Sequence, residues 1–428
     1  METEVLLKLH RIPDIERLSV YRGNMGYQAL AKAAKMKTGQ VIDCIEEAGL
    51  RGRGGAGFPT HIKWRAAVSQ HRTPRYIICN VAEGEPGSFK DRELLKNPHQ
   101  ILEATAIAAH AIEAEKAFIY LRGLFQAEER LLQSALEEAR KEGLLGPGGV
   151  LPVDLVIHRG EDSYIVGEET AMIESLEGKP AIPRTKPPRP PEEGLWGWPT
   201  VVNNVETLCN IIFIILQGSS AYRRWGTVQS PGTKLFCLSG RISKPGVYEL
   251  PMGIRLSTLL NTCGGGPLPG RRFRAVFPGG PSTPVVPFDL DPTMDFEGLE
   301  KTGSSLGTGG IIVLDNSSDI AKVAVEISQF FSRESCGACP PCTIGTMETH
   351  RLFQELQENT GAAERIVLKI REFCEMMKFR GQCAHNRSAA LTLLSLLNHF
   401  PEAFSLRTEL KVSSERKGGS NGLDSRQY

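Results

Sequence analysis

The sequence predicts an α/β domain with a parallel sheet, followed by a small β-rich domain and a C-terminal helical bundle. Short apolar runs alternate with helical segments between residues 76 and 158, which is typical of βαβ units. Near residue 230 the pattern changes to closely spaced strands, and from residue 319 to residue 400 it is predominantly helical. These three observations divide the 428 residues into more than one folding unit.

The first domain is predicted over residues 1–230, with a helical segment at its N-terminus. Its predicted strands are Tyr76–Asn80, Ala117–Leu121 and Leu151–His158. Its predicted helices are Gln40–Leu50, Pro98–Ala117, Gln126–Glu142, Gly167–Gly178 and Val205–Leu216. The apolar run Ile211–Leu216 is too short to cross a bilayer, so we expect a buried helix there.

The second domain is predicted over residues 231–318 and the third over residues 319–412. In the second, the strands Lys234–Gly240 and Gly246–Leu250 are joined by a Lys-Pro-Gly turn, and Leu256–Cys263 is a short helix. The third is predicted to be a helical bundle. Residues 413–428 are rich in serine, glycine and charge, which predicts a disordered tail.

Composition and the N-terminal residues indicate the compartment of the chain and argue against nucleic-acid binding. Lysine and arginine number 50 against 49 aspartate and glutamate, so there is no electrostatic case for nucleic-acid binding. Ten cysteines suit a reducing compartment. Met1–Val5 carries acids and no basic region before an apolar core, so no signal peptide is predicted. We expect a cytoplasmic chain without direct membrane insertion, free or bound to a membrane complex at the cytoplasmic face of the inner membrane.

Four cysteines are the strongest indication of chemistry. Cys336, Cys339 and Cys342 follow a C-x2-C-x2-C pattern, and Cys383 lies further along the chain. Four thiolates match the ligand set of a [4Fe–4S] cluster. Zinc is an alternative, although structural zinc sites usually pair two C-x2-C units. Disulfides are a second alternative, which the short spacing disfavours.

The segment Arg51–Thr60 contains a G-x-G-x-x-G pattern. It follows a predicted helix rather than a strand, so it does not indicate a standard dinucleotide fingerprint. A run of glycine amides ahead of a helix still makes a nest for a phosphate, and Arg51, Arg53 and Lys63 add positive charge. The alternative is a flexible glycine-rich turn.

Two acidic segments accompany the glycine loop. Asn80–Gly87 follows a predicted strand, at the sheet edge where ligands of open α/β folds bind. Gly167–Thr170 opens a predicted helix, where carboxylates are favoured by the helix dipole. For both segments the alternative role is helix capping.

Together these segments resemble the NADH-binding flavoprotein subunit of respiratory complex I, with its relatives in soluble NAD-linked hydrogenases and formate dehydrogenases. The similar segments occur in the family's order over roughly residues 40 to 400. They are Gly52–Trp64, Asn80–Arg92, Gly167–Gly178, Trp196–Leu208, Gly307–Gly310 and Glu334–Cys342.

The resemblance implies a Rossmann-like FMN-binding domain, a ubiquitin-like β-grasp (SLBB) domain and a bundle that carries the cluster. It implies hydride transfer from NADH to FMN and single-electron transfer to a [4Fe–4S] cluster, without a general base. NADH is favoured over NADPH. The implied partners are NAD(H), a small thioredoxin-like [2Fe–2S] subunit and a large iron–sulfur subunit of the same complex.

The resemblance also implies roles for individual residues. The FMN phosphate is expected on Gly54, Gly55 and Gly57 with Arg53. The flavin ring and ribityl chain are expected near Asn80, Glu83, Tyr164, Gly167, Glu168, Asn203, Asn204 and Thr207. The nicotinamide nucleotide is expected near Phe58, Lys63, Glu85, Glu169 and Lys186. The cluster ligands are expected to be Cys336, Cys339, Cys342 and Cys383.

The chain departs from the family pattern at several positions. Ala82 replaces a carboxylate beside the flavin, Arg189 and Ala66 replace aromatic rings that stack on the adenine, and His385 follows the fourth cysteine. Two alternative functions therefore stay open. One is a diaphorase subunit of an NAD(P)-linked hydrogenase or formate dehydrogenase, and the other is an electron relay with a degraded nucleotide site.

Overall fold

The computed structural model describes residues 5–358 and 362–404. Its helices are α1 Leu18–Gly23, α2 Gln28–Ala33, α3 Thr38–Ala48, α4 Thr60–Val68, α5 Lys90–Leu94, α6 Pro98–Ala111, α7 Gln126–Lys141, α8 Glu169–Leu176, α9 Val205–Gln217, α10 Ser219–Tyr222, α11 Leu256–Thr258, α12 Phe296–Glu300, α13 Ile320–Arg333, α14 Pro340–Glu358, α15 Ala363–Phe379 and α16 Ala384–His399. Its strands are β1 Tyr76–Val81, β2 Lys116–Leu121, β3 Asp154–Arg159, β4 Thr200–Asn204, β5 Thr233–Gly240, β6 Gly246–Pro251, β7 Phe273–Phe277, β8 Val286–Pro287 and β9 Gly310–Asp315.

The first domain is built on a parallel sheet with the strand order β3-β2-β1-β4. The helix α6 is buried almost all round, because it packs between β1, β2 and the apolar helix α9. Strands β1 and β4 pair so that Asn80 lies opposite Asn204. Both asparagines therefore lie at the carboxyl edge of the sheet, where ligands of open α/β folds bind.

The second domain is a mixed sheet with the order β6-β5-β9-β7-β8. The central pair β5 and β9 is parallel, and the flanking pairs are antiparallel. This is the strand order of a β-grasp fold, as predicted. The core between the sheet and its short helix contains Phe236, Leu256, Leu259 and Val313.

The third domain packs α13, α14, α15 and α16 against one another. Phe331, Phe353, Ile370 and Leu393 are buried in its core. The predicted three-part architecture is confirmed. In the described part of the chain, every helix is too short or too polar to cross a membrane.

Some element limits differ from the predictions. The helix α6 ends at Ala111 instead of Ala117, where Glu113 adopts a φ of 53° that an α-helix does not allow. Strand β4 was not predicted, because its extended state comes from pairing with β1 across a long sequence gap. The domain limits at 230 and 318 fall between elements, and we propose to keep them. The predicted tail 413–428 lies outside the described residues.

Candidate functional site

A cavity of about 590 Å³, here called the main cavity, lies at the carboxyl edge of the parallel sheet. Its walls are the glycine loop 52–58, the exposed face of α4, the end of β4, the start of α8 and the loop 186–192. The predicted site residues that line it are Gly54, Gly55, Gly57, Phe58, Lys63, Asn80, Gly167, Glu168, Glu169, Lys186, Asn203, Asn204 and Thr207.

A second cavity of about 340 Å³ adjoins the main cavity and extends toward the helical bundle. The two share Gly54, Gly55, Ala56, Asn80, Gly167, Glu168 and Asn204 as lining residues. The second cavity adds three further predicted residues, Glu83, Glu85 and Tyr164. It also reaches Cys383 and His385. A continuous path therefore links the glycine loop with one of the four cysteines.

The glycine loop is shaped so that backbone amides can approach a ligand. A Cβ on Gly54 would lie 2.9 Å from the Asn204 Cβ, and a Cβ on Gly57 would lie 2.5 Å from the Phe296 ring. Gly57 also needs a φ of 63°, which glycine adopts without strain. Gly55 has open space beside it. This cradle fits a phosphate group, as a nest of main-chain N–H groups does.

Arg53 is the one predicted cofactor residue that does not line either cavity. Its side chain is fully buried. The guanidinium donates hydrogen bonds to the carbonyls of Thr233 (3.1 Å), Arg51 (3.0 Å) and Pro231 (2.8 Å) and to the Tyr222 hydroxyl (3.0 Å). Four of its five N–H donors are thus used inside the protein, and the bond to Thr233 joins the glycine loop to the first strand of the β-grasp domain.

Buried charged side chains from other parts of the chain hold the backbone of the glycine loop. The Lys90 ammonium donates to the Arg53 carbonyl (2.8 Å), to Glu206 (2.6 Å) and to the Thr308 carbonyl (2.9 Å). Lys234 donates to the same Arg53 carbonyl at 3.0 Å. Burial lowers the pKa of Lys234 to about 7, although Glu206 acts to raise it. The loop backbone is therefore held by two amines from different parts of the chain.

Glu83 lies at the edge of this group and lines the second cavity. Its Oε2 is 3.6 Å from the Lys90 ammonium and has no hydrogen-bond partner among the described residues. Burial raises the pKa of Glu83, while Lys90 acts to lower it. A buried polar atom without a partner is costly unless a ligand or water satisfies it. Glu83 is thus a candidate ligand contact.

The last residues of β4 keep donors available for a ligand. Asn203 Oδ1 accepts from Trp64 Nε1 (2.8 Å), and Asn204 Oδ1 accepts from the Glu206 amide (3.1 Å) as the cap of α9. Thr207 Oγ1 accepts from the Arg53 amide at 2.8 Å. These bonds use the acceptor atoms. Among the described residues, the side-chain amide nitrogen of neither asparagine has an acceptor. Both can therefore donate to a ligand that is rich in oxygen.

The acidic pair at the start of α8 has two different roles. Glu168 caps the helix by accepting from the amides of Thr170 (2.9 Å) and Ala171 (3.1 Å), so the capping alternative holds for this residue. Glu169 instead binds Lys63 at 2.7 Å and Lys186 at 3.0 Å. Burial alone would raise the pKa of Glu169, but these lysines outweigh it and hold the pKa at about 2.

Glu85 connects the second cavity with the β-grasp domain. The Tyr164 hydroxyl donates to Glu85 Oε2 at 2.7 Å, and the Ser282 amide donates to Oε1 at 2.8 Å. Burial raises the pKa of Glu85 to about 7 despite these hydrogen bonds. The Tyr164 amide donates to Glu334 at 2.9 Å, which ties the cavity wall to the segment just before Cys336.

The four predicted ligand cysteines are free thiols, and Cys336 and Cys383 pack against the same buried apolar cluster. Burial raises the pKa of Cys342 to about 12, and the charges of Cys339, Cys383 and Cys336 act in the same direction. No set of three or more His, Cys, Asp or Glu side chains in the described residues is already arranged as a metal site. Four soft donors of one kind fit an iron–sulfur cluster.

Sequence reasoning missed several residues that shape the site. Lys90 and Glu206 lie inside the similar segments Asn80–Arg92 and Trp196–Leu208, but nothing in the sequence predicts that they meet each other and Lys234 in the folded chain. His385 was noted as a departure without a role. It is buried against Tyr164 and Phe331, its Nε2 lies 2.9 Å from the Phe331 carbonyl, and its Nδ1 has no partner among the described residues.

Comparisons with known proteins agree with this architecture. Residues 45–212 match the family profile described as the Nuo51 FMN-binding domain, and residues 235–286 match the SLBB domain. Residues 322–407 match the NADH-ubiquinone oxidoreductase-F iron-sulfur binding region. The chain is 45% identical over 409 residues to the second NADH-quinone oxidoreductase F subunit of Rhizobium meliloti, covering 94% of this chain and 96% of that protein.

The chain belongs to the family of NADH-quinone oxidoreductase F subunits. It is also 45% identical over 356 residues to the F subunit of Aquifex aeolicus, with 82% of each chain covered. A solved structure of an NAD+-reducing [NiFe]-hydrogenase in the H2-reduced state matches with a TM-score of 0.82 and 35% identity. That match covers 95% of this chain and 67% of the hydrogenase chain. The family assignment favours an iron–sulfur cluster over the zinc alternative.

Proposed function

We propose that this chain is the NADH-oxidising flavoprotein of a multisubunit oxidoreductase, carrying FMN in the two cavities and a [4Fe–4S] cluster on Cys336, Cys339, Cys342 and Cys383. The observation that carries this proposal is the continuous path from the glycine loop through the second cavity to Cys383. Bound FMN would supply the chemistry that the side chains lack, since it accepts a hydride and releases single electrons.

The residues of the chain supply binding and orientation. The amides of Gly54 and Gly55 would hold the FMN phosphate, and the free donors of Asn203 and Asn204 would hold its ribityl oxygens. Tyr164 and Glu168 form the wall on the side of the bundle. Lys63 and Lys186, both on the wall of the main cavity, would face the nicotinamide nucleotide together with Phe58 and Glu169.

The family implies that the chain works inside a larger assembly. We propose a small thioredoxin-like [2Fe–2S] subunit and a large iron–sulfur subunit as its partners, in the cytoplasm or at the cytoplasmic face of the inner membrane. Ile344 and Met347 on α14 are about half exposed close to the cysteine segment, at 47% and 52%. Apolar exposure of this kind is consistent with a covered surface in a complex.

The test is anaerobic addition of NADH to the purified protein with its flavin and cluster loaded. Bleaching of the flavin absorbance, followed by a reduced-cluster EPR signal, is the expected result. If NADH leaves the flavin oxidised while dithionite reduces both centres, the electron-relay alternative replaces this proposal.

A second candidate is the diaphorase module of an NAD+-reducing hydrogenase. The observation in its favour is the structural match at a TM-score of 0.82 to such a hydrogenase. Affinity purification of the tagged chain from its own cells decides between the two assemblies. Recovery of a [NiFe] subunit supports the hydrogenase, whereas recovery of quinone-reductase subunits supports the first proposal.

A further inference from the structure

Arg189 is exposed at the rim of the main cavity and has a guanidinium without a protein partner in the described residues. Its backbone is fixed: the Arg189 amide donates to Glu192 Oε2 at 2.9 Å, and its carbonyl accepts from the amides of Glu192 (2.8 Å) and Glu193 (2.9 Å). The side chain is thus presented from a held position, and its five N–H donors are available to a ligand.

The other cations on the cavity wall are already neutralised. Lys63 pairs with Glu169 at 2.7 Å, and Lys186 pairs with Glu168 at 2.7 Å and with Glu169 at 3.0 Å. Within the described residues that line the main cavity, Arg189 is the cation that lacks a carboxylate partner. A ligand that brings an additional negative charge into this part of the cavity would therefore pair with Arg189.

The two paired lysines also reduce the electrostatic repulsion between Glu169 and an additional phosphate on the nucleotide. Glu169 alone would repel a further phosphate on the nucleotide. Because two ammonium groups contact it, their charges offset the repulsion that its carboxylate would exert. Glu192 is the remaining carboxylate at the rim, and one of its oxygens is held by the Arg189 amide.

Another part of the wall of the main cavity is apolar and partly exposed. Ile62 is 44% exposed and Phe58 is 41% exposed, and Ala66 follows Ile62 by one helical turn on α4. The small Ala66 side chain takes up little of the main cavity, which Arg189 also lines. A nucleoside that carries a substituent on its ribose therefore has room between these apolar side chains and the Arg189 guanidinium.

We propose that Arg189 binds the 2′-phosphate of NADPH, so that this site accepts NADPH as well as NADH. A guanidinium is planar and can donate two parallel hydrogen bonds to one phosphate, whereas a lysine ammonium cannot bind in this bidentate way. The inference rests on the proposed function, because it assumes that a nicotinamide nucleotide enters the main cavity. It adds NADPH to the NADH that the family resemblance implies.

The test compares wild type with Arg189→Gln, which removes the charge but keeps a polar side chain. Binding of adenosine 2′,5′-bisphosphate and of 5′-AMP is measured by calorimetry on the flavin-loaded protein, and flavin reduction is titrated with NADPH and NADH. Arg189→Gln is expected to weaken the bisphosphate and NADPH about tenfold, while 5′-AMP and NADH change less than about twofold. Arg130→Gln, an exposed arginine on α7 outside both cavities, is the matched control.

Salt provides a second readout that a purely structural role would not alter. Wild-type affinity for the bisphosphate should fall with ionic strength more steeply than that of Arg189→Gln, because a charge pair is screened. Arg189→Phe should bind 5′-AMP at least as well as wild type and lose the preference for the bisphosphate.

The outcomes separate this inference from the proposed function. If NADH reduces the flavin but wild type binds the bisphosphate no better than 5′-AMP, the inference is wrong and the proposed function stands. If Arg189→Gln weakens both ligands equally, the arginine contacts the adenine and reads no phosphate, which also overturns the inference. If neither nucleotide reduces the flavin, the proposed function fails, and the bisphosphate titration still decides the role of Arg189.

Discussion

Lys90 and Glu206 form an ion pair of 2.6 Å in which neither side chain is exposed to solvent. Lys90 also donates to the Arg53 carbonyl inside the glycine loop, and the second oxygen of Glu206 accepts from the Leu235 amide at the start of β5. One pair thus joins the loop that cradles the ligand to the first strand of the β-grasp domain. The backbone of the glycine loop is therefore held at Arg53 by buried ammonium groups.

Replacement of Lys90 by methionine should destabilise the protein. Glu206 would keep its buried charge without its closest partner, and breaking a buried pair in this way costs about 3–5 kcal/mol. We expect a lower unfolding temperature and faster loss of flavin. Lys96→Met is the control, because the Lys96–Glu93 pair is on the surface with Lys96 60% exposed. A Lys90 variant as stable as the Lys96 variant would contradict the supporting role of this pair.

Gly55→Asp should remove FMN from the protein. Gly55 has no heavy atom within 4 Å of a built Cβ and lines both cavities, so the new carboxylate would occupy the cradle and repel a phosphate. Flavin content per chain is measured by absorbance after denaturation. Gly148→Asp controls for backbone strain, since Gly148 also has a positive φ of 76° and open space. Full flavin content in Gly55→Asp would place the phosphate elsewhere.

Cys383→Ser should abolish or alter the cluster. Cys383 is the one predicted ligand that lines the second cavity, and serine replaces its soft thiolate with a hard oxygen. The expected result is loss of iron and of the EPR signal of the reduced cluster. Cys44→Ser, a partly buried cysteine on α3, should keep both. An unchanged spectrum with full iron in Cys383→Ser would exclude this residue as a ligand.

Glu85→Gln should change how stability depends on pH. Burial raises the pKa of Glu85 from 4.5 to about 7, so the folded protein binds a proton that the unfolded chain releases. The stability contributed by that proton is present below pH 4.5 and is lost as pH rises toward 7, amounting to about 3 kcal/mol. Relative to wild type, the glutamine variant should gain stability from pH 5 to pH 8.

Thermal unfolding of both proteins across this pH range measures the effect. Glu300→Gln, at an exposed position on α12, serves as the control and should follow the wild-type curve. Parallel curves for wild type and Glu85→Gln would show that Glu85 titrates alike in the folded and unfolded states.

Sequence alone determined those features that depend on residues close together in the chain. The C-x2-C-x2-C spacing and the alternation of strands and helices are local, and they predicted the iron–sulfur region and the parallel sheet correctly. The glycine run 52–57 is local as well, and the phosphate site expected on it stays a prediction. The strand β1 and the helix α9 could be recognised because their apolar runs must be buried whatever surrounds them.

Only the tertiary structure decided which charged side chains pair with residues that are distant in the chain. Arg53 follows the phosphate pattern in sequence, yet its guanidinium is used by Thr233, Pro231 and Tyr222, which only the packed fold brings near. Lys63 and Lys186 line the same cavity as Arg189, but both pair with Glu169, so among the described lining residues Arg189 is the cation available to an anion. The physical reason is that a buried or paired charge is set by its neighbours in space, and a linear pattern does not contain them.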